Sequence, residues 1–141
     1  MSVFKKHYSI EPMNFDLAGQ MSSDLKRHLK QMNFSFDLIK RICVAAYEAE
    51  INIVIHSMGG YADVWIDENE VMLQFIDCGP GIPDIDLALT PGFTTANELV
   101  QLHGFGAGMG LNNISSCADD MRILSDSNGT VLKLKFFIKE D

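Results

Sequence analysis

The sequence predicts an α+β fold, a two-layer α/β sandwich whose mixed and mostly antiparallel sheet carries helices on one face. Two observations lead there. Apolar residues recur at three- and four-residue steps between Asn14 and Ile53, the signature of helices that bury one side. Two pairs of short alternating segments, 61–76 and 121–138, are each joined by a tight polar turn, the signature of antiparallel hairpins.

Taken in order, Phe4 to Ile10 forms a first strand that Pro12 ends. From Asn14, the positions Leu17, Met21, Leu25, Leu29 and Met32 mark an amphipathic helix over 14–32. Ser35 caps a second, longer helix that runs through Leu38, Ile42, Ala46, Ala49 and Ile53 to a stop at Gly59-Gly60. Tyr61–Asp67 and Val71–Ile76 are strands flanking the polar turn Asp67-Glu68-Asn69-Glu70. A Gly/Pro-rich stretch from Asp77 to His103 is too long for an ordinary connection and therefore points to function. Leu111, Ile114 and Ala118 fit a short helix, after which Met121–Ser125 and Thr130–Ile138 pair across Asp126-Ser127-Asn128-Gly129.

Composition limits the function classes. The chain of 141 residues is expected to fold as one domain over 1–141, with 47% apolar residues to build a core. Its 11 Lys and Arg against 19 Asp and Glu give a net charge of −8, which argues against binding nucleic acid through its phosphates. Cys43, Cys78 and Cys117 are odd in number and lack metal-ligand spacing, as expected of reduced thiols in a cytoplasmic protein. No apolar run approaches the roughly 20 residues that span a bilayer, and the first residues lack a signal-peptide pattern. A soluble, intracellular protein without membrane contact is the expectation.

Three polar constellations stand out against this frame. Helical spacing places Glu48, Asn52 and His56 on one stripe of an apolar helix. Such a stripe can supply a general base and a hard-metal ligand, or simply satisfy neighbouring backbone groups. The stretch DCGPGIPD, residues 77–84, follows a buried strand; its Asp and two close glycines admit a flat polar ligand edge, or serve as a plain turn. GFGAGMGL, residues 104–111, sets four alternating glycines before a helix, fitting a nest of N–H groups for a phosphate, or a hinge. Neither a P-loop motif nor a complete G-x-G-x-x-G is present.

In order and spacing, Glu48-x-x-x-Asn52, Asp77-x-Gly79-x-Gly81, Phe93-Thr94-Thr95, the glycines 104, 106, 108 and 110, and Gly129-Thr130 resemble one superfamily. It is the ATP-binding superfamily shared by histidine-kinase catalytic domains, gyrase, Hsp90 and MutL, whose fold is the Bergerat-type sandwich. Within it the chain looks like the anti-sigma-factor serine/threonine kinases, and the likeness runs from about Asn14 to Ile138.

The resemblance implies a role for each matched residue. Glu48 would be the general base, and Asn52 would hold Mg²⁺ through its side-chain oxygen. Asp77 would accept from the adenine amino group, with Gly81 giving the base room and Thr130 assisting, and Gly79 and Ile82 would be further ATP contacts. Thr94 and Thr95 would sit in a lid over the nucleotide. Gly104, Phe105, Gly106, Ala107, Gly108, Met109 and Gly110 would wrap the phosphates, and Leu111 would be a further ATP contact. Glu50, on the other side of the helix from Glu48, is expected to face solvent or a partner. Implied ligands are ATP and Mg²⁺, and implied partners are a STAS-type anti-anti-sigma protein, a sigma factor and a second copy of the chain. The segment 90–111 departs from the branch in having no Lys or Arg, His103 being its one candidate cation. That departure leaves open a nucleotide-dependent switch with little catalysis, since phosphoryl transfer relies on charge stabilisation. A fragment of a two-component histidine kinase is a third reading; the helix over 14–32 is too short for its phosphoacceptor hairpin.

Overall fold

In the computed structural model, which describes residues 4–79 and 110–138, the alternating segments pair into a single five-stranded sheet. The strands are β1 (Phe4–Ile10), β2 (Gly60–Ile66), β3 (Glu70–Cys78), β4 (Asp120–Asp126) and β5 (Gly129–Phe137), in the spatial order β1-β2-β3-β5-β4. Every pairing among them is antiparallel, so the expected mixed component of the sheet is absent from the described residues. Most of the expected Gly/Pro-rich connection, residues 80–109, lies outside the described residues.

Three helices, α1 (Gln20–Gln31), α2 (Phe36–His56) and α3 (Gly110–Cys117), complete the described architecture. The period-two alternation sends Ala62, Val64 and Ile66 of β2, Leu73 and Phe75 of β3, and Leu134 and Phe136 of β5 toward them. Leu25 and Leu29 of α1, Ile42 and Ile53 of α2, and Ile114 of α3 meet that layer in one core. Each such fully buried side chain contributes about 1.5–3 kcal/mol relative to exposure.

Local chemistry sets the element ends. Ser35 Oγ accepts from the Leu38 amide at 3.2 Å and starts α2 as expected. At the far end, Ser57 Oγ donates to the Ile53 carbonyl at 2.7 Å, and Gly59, at φ +105°, turns the chain into β2. Asp67 Oδ1 closes the β2–β3 turn by accepting from the amides of Asn69 and Glu70 at 2.7 and 2.9 Å.

Two expectations need correction. The first helix begins at Gln20 rather than Asn14: residues 15–19 form turns, with Asn14 Oδ1 accepting from the Leu17 amide, and Gly19 enters the helix at φ +94°. Gly19 has no side chain with which to cap α1, and the missing cap comes from Glu50. That residue is 3% exposed, so it faces neither solvent nor a partner. Its carboxylate accepts from the amides of Gly19 (2.9 Å), Met21 (3.2 Å) and Ser22 (3.1 Å), and from the Ser22 hydroxyl (3.0 Å). A buried carboxylate on α2 thus supplies the negative charge that an α-helix N-terminus favours, and locks α1 to α2.

Candidate functional site

Glu48 and Asn52 lie one turn apart on the face of α2 that receives α3. The first residue of α3, Gly110, sits directly over them. A Cβ built there would come within 3.3 Å of both Glu48 Oε2 and Asn52 Oδ1, so two side-chain oxygens converge on the start of a helix. Only a residue without a side chain lets the backbone sit so close without shifting its neighbours. Three residues on, Asn113 Nδ2 donates to Glu48 Oε1 at 3.4 Å and ties the carboxylate to α3. The far end of α3 is tied as well: Arg41 of α2 donates to the Cys117 carbonyl at 3.1 Å and pairs with Asp119 at 3.6 Å.

The second part of the site is where β3 and β5 end. Asp77 faces the helix layer, opposite Thr130, and its Oδ1 accepts from the Thr130 amide at 3.0 Å. Burial raises the Asp77 carboxyl above the ordinary range of an aspartate, the Thr130 amide offsetting part of the effect. Thr130 Oγ1 shares a hydrogen bond with Ser125 Oγ at 2.8 Å. Gly129 makes this geometry possible, since a Cβ there would lie 2.0 Å from the Asp77 carbonyl oxygen. Gly79 donates to the Asn128 carbonyl at 2.6 Å, which holds the chain after Asp77 against the β4–β5 turn. The two parts are joined where α2 ends: Cys78 donates to the Gly59 carbonyl at 3.0 Å, and the Met58 amide donates back to the Cys78 carbonyl at 3.1 Å.

Of the sequence-predicted residues, the fold brings Glu48, Asn52 and Gly110 together, sets Asp77 against Thr130, and buries Leu111 in the core. His56 continues the α2 stripe, half-buried, and burial holds its imidazole below the usual range, so it is neutral at pH 7. Gly81, Ile82, Thr94, Thr95 and Gly104 through Met109 lie outside the described residues. Two contributors were missed from sequence, Asn113 and Ser125. Asn113 had a usable signal, its position three residues after Gly110 on the short helix. Ser125 had none beyond lying opposite Thr130 in the β4–β5 hairpin.

The donor set suits a hard cation: a carboxamide oxygen and a carboxylate at one point, with the remaining positions left to phosphate and water. Asn112 Nδ2, buried in the first turn of α3, has no protein acceptor among the described residues, and such a donor costs about 1–3 kcal/mol unless something accepts from it.

Comparison with known proteins agrees with this geometry. Residues 12–136 match the sequence model of the histidine kinase-like ATPase domain. An anti-sigma F factor of Thermoanaerobacter sp. (strain X514) is 29% identical over 117 residues, covering 79% of this chain and 78% of that one. The anti-sigma F factor of Bacillus licheniformis is 31% identical over 113 residues, 75% of this chain and 74% of its own. Among solved structures, that of the RsbU and RsbW domains of Rv1364c from Mycobacterium tuberculosis superposes with a TM-score of 0.65. It shares 17% identity and covers 94% of this chain and 31% of that one, a likeness of fold. The chain belongs to the histidine kinase-like ATPase family, in the branch that holds the anti-sigma F factors.

Proposed function

We propose that this single domain binds ATP between α2, α3 and the ends of β3 and β5, and acts as an anti-sigma-type serine/threonine protein kinase. Its acceptor would be a hydroxyl of a small STAS-type anti-anti-sigma protein, and a sigma factor a further partner. The observation that carries the reading is the convergence of Glu48 and Asn52 beneath Gly110. A base, a hard-metal ligand and a helix N-terminus at one point are what transfer of a phosphoryl group needs.

The chain's own groups divide the work. Asp77, held by the Thr130 amide, presents its second oxygen to the adenine amino group. The partial positive charge at the start of α3 attracts the phosphates. Asn113 orients Glu48, whose carboxylate takes the proton of the attacking hydroxyl as the oxygen bonds to the γ-phosphorus and the bridging bond to ADP breaks. Mg²⁺, held by Asn52 and the phosphates, would neutralise charge on the transferring group. Neutral His56 adds no charge to this centre at pH 7.

The absence of Lys and Arg from residues 90–111 favours a second reading, in which nucleotide loading switches a partner with little catalysis. Glu48→Ala separates the two. In a kinase the variant keeps ATP affinity near wild type and loses transfer of the γ-phosphoryl group to the STAS partner. Wild type that binds ATP and modifies no such partner supports the switch, and equal loss of affinity and turnover in the variant makes Glu48 structural.

A further inference from the structure

The short helix α3 packs chiefly on α2. Arg41, Glu48 and Asn52 share one face of α2, since seven residues make about two helical turns and four about one. At one end of that stripe Gly110 rests over Glu48 and Asn52, and Asn113 donates to Glu48. At the other end Arg41 holds the last turn of α3. Its Nη1 donates to the Cys117 carbonyl at 3.1 Å and lies 3.6 Å from Asp119, while its Nε donates to Asp37 at 3.2 Å. Asp119 is itself tied to β5: its Oδ2 accepts from the Phe137 amide at 2.7 Å, and its amide donates to the Lys135 carbonyl at 2.9 Å. Between the two ends Leu111 and Ile114 sit in the core, and apolar burial holds a helix without fixing its tilt. Along the helix axis, Ile114 lies about 6 Å from Gly110 and about 4.5 Å from Cys117. A tilt about Ile114 therefore carries a displacement of the Cys117 end to the Gly110 end, reversed and slightly enlarged.

We propose that Arg41 is a positioning residue for the nucleotide site: by fixing the C-terminal end of α3 it sets where the N-terminal end stands over Glu48 and Asn52. The inference rests on the ATP reading of that site and goes beyond it, placing a control on the site about two helical turns away from it. A guanidinium suits the task, because its planar fork serves the Cys117 carbonyl and two carboxylates at once. A lysine keeps the charge and a donor for the carbonyl, and loses the fork. The cation also faces the negative end of the α3 dipole, where positive charge is favoured. A purely local role, capping α3 and closing its corner into β4, would cost stability and leave nucleotide affinity alone.

The test compares wild type with Arg41→Ala, Arg41→Lys, Asn113→Ala and the double variant that combines the two alanine changes. Each is titrated calorimetrically with Mg²⁺ and a non-hydrolysable ATP analogue, at a temperature where urea unfolding shows it to be folded. Hydrogen exchange of the nucleotide-free proteins follows the α3 amides in parallel. Arg41→Ala is expected to weaken binding roughly tenfold and to speed exchange in α3, with Arg41→Lys intermediate in both. Asn113→Ala disturbs the same placement of α3, so the double variant should lose less than the product of the two single losses. An Arg41→Ala protein that loses stability and keeps wild-type affinity would overturn the proposal, as would two losses that multiply independently. Should the alanine variant not fold, Arg41→Lys answers the same question: weaker binding with faster α3 exchange supports the proposal, and wild-type values in both overturn it. Wild type that binds no nucleotide overturns the ATP reading and this inference with it, whereas wild type and Arg41→Ala that bind equally well overturn this inference alone.

Discussion

Asp77, proposed above to read the adenine, weakens the fold that holds it. Its carboxyl is raised by burial, so the charged form is less favourable in the folded chain than in the unfolded one. A carboxylate raised in this way reduces stability above its unfolded titration range, where the folded state must hold a charge the site disfavours. At pH 7, Asp77→Asn should therefore raise the melting temperature of the nucleotide-free protein, the Asn oxygen still accepting from Thr130. The same change should weaken ATP binding by roughly 1.5–3 kcal/mol, the scale of a hydrogen bond to a charged group. Thermal unfolding and calorimetry on one preparation check both, and unchanged affinity would remove Asp77 from adenine recognition. The Asp-x-Gly-x-Gly spacing made this residue legible in the sequence. The opposing effect of burial was not, because it depends on β5 bringing Thr130 alongside.

At the scale of elements, Glu50 separates what periodicity can and cannot reveal. Helical spacing sets its neighbours Glu48 and Asn52 on one stripe of α2, and in the fold that stripe faces the start of α3. The sequence reading sends Glu50 to solvent or a partner, whereas the fold buries it under the N-terminus of α1, 28 to 31 residues away in sequence. Nothing local announces that contact, although Gly19, which cannot cap a helix with a side chain, marks a vacancy that some distant acceptor must fill. Glu50→Ala removes the acceptor from four donors, three of them buried, and should destabilise the protein by roughly 2–4 kcal/mol, a lost cap plus unpaired buried amides. Chemical denaturation measures it; a loss near zero would mean that water caps α1. Helix starts were legible where the cap is local, as at Ser35, and shifted by several residues where the cap comes from another element, as at Gln20.

For the whole molecule, strand positions and the helix-covered face were legible because alternation and helical spacing are local consequences of burial. Strand order was not, since β1 joins the sheet beside β2 across two intervening helices, and β5 inserts between β3 and β4. That order brings Asp77 and Thr130 together, and the packing of α3 on α2 brings Gly110 over Glu48 and Asn52. In the proposed function these two groupings form one nucleotide site with a hard-metal position at Asn52. Calorimetric titration with ADP and a non-hydrolysable ATP analogue, with and without Mg²⁺, tests it most directly. Saturable binding that strengthens with Mg²⁺, and loses that strengthening in Asn52→Ala, is the predicted result. No binding at millimolar nucleotide would mean that the two groupings do not form a nucleotide site.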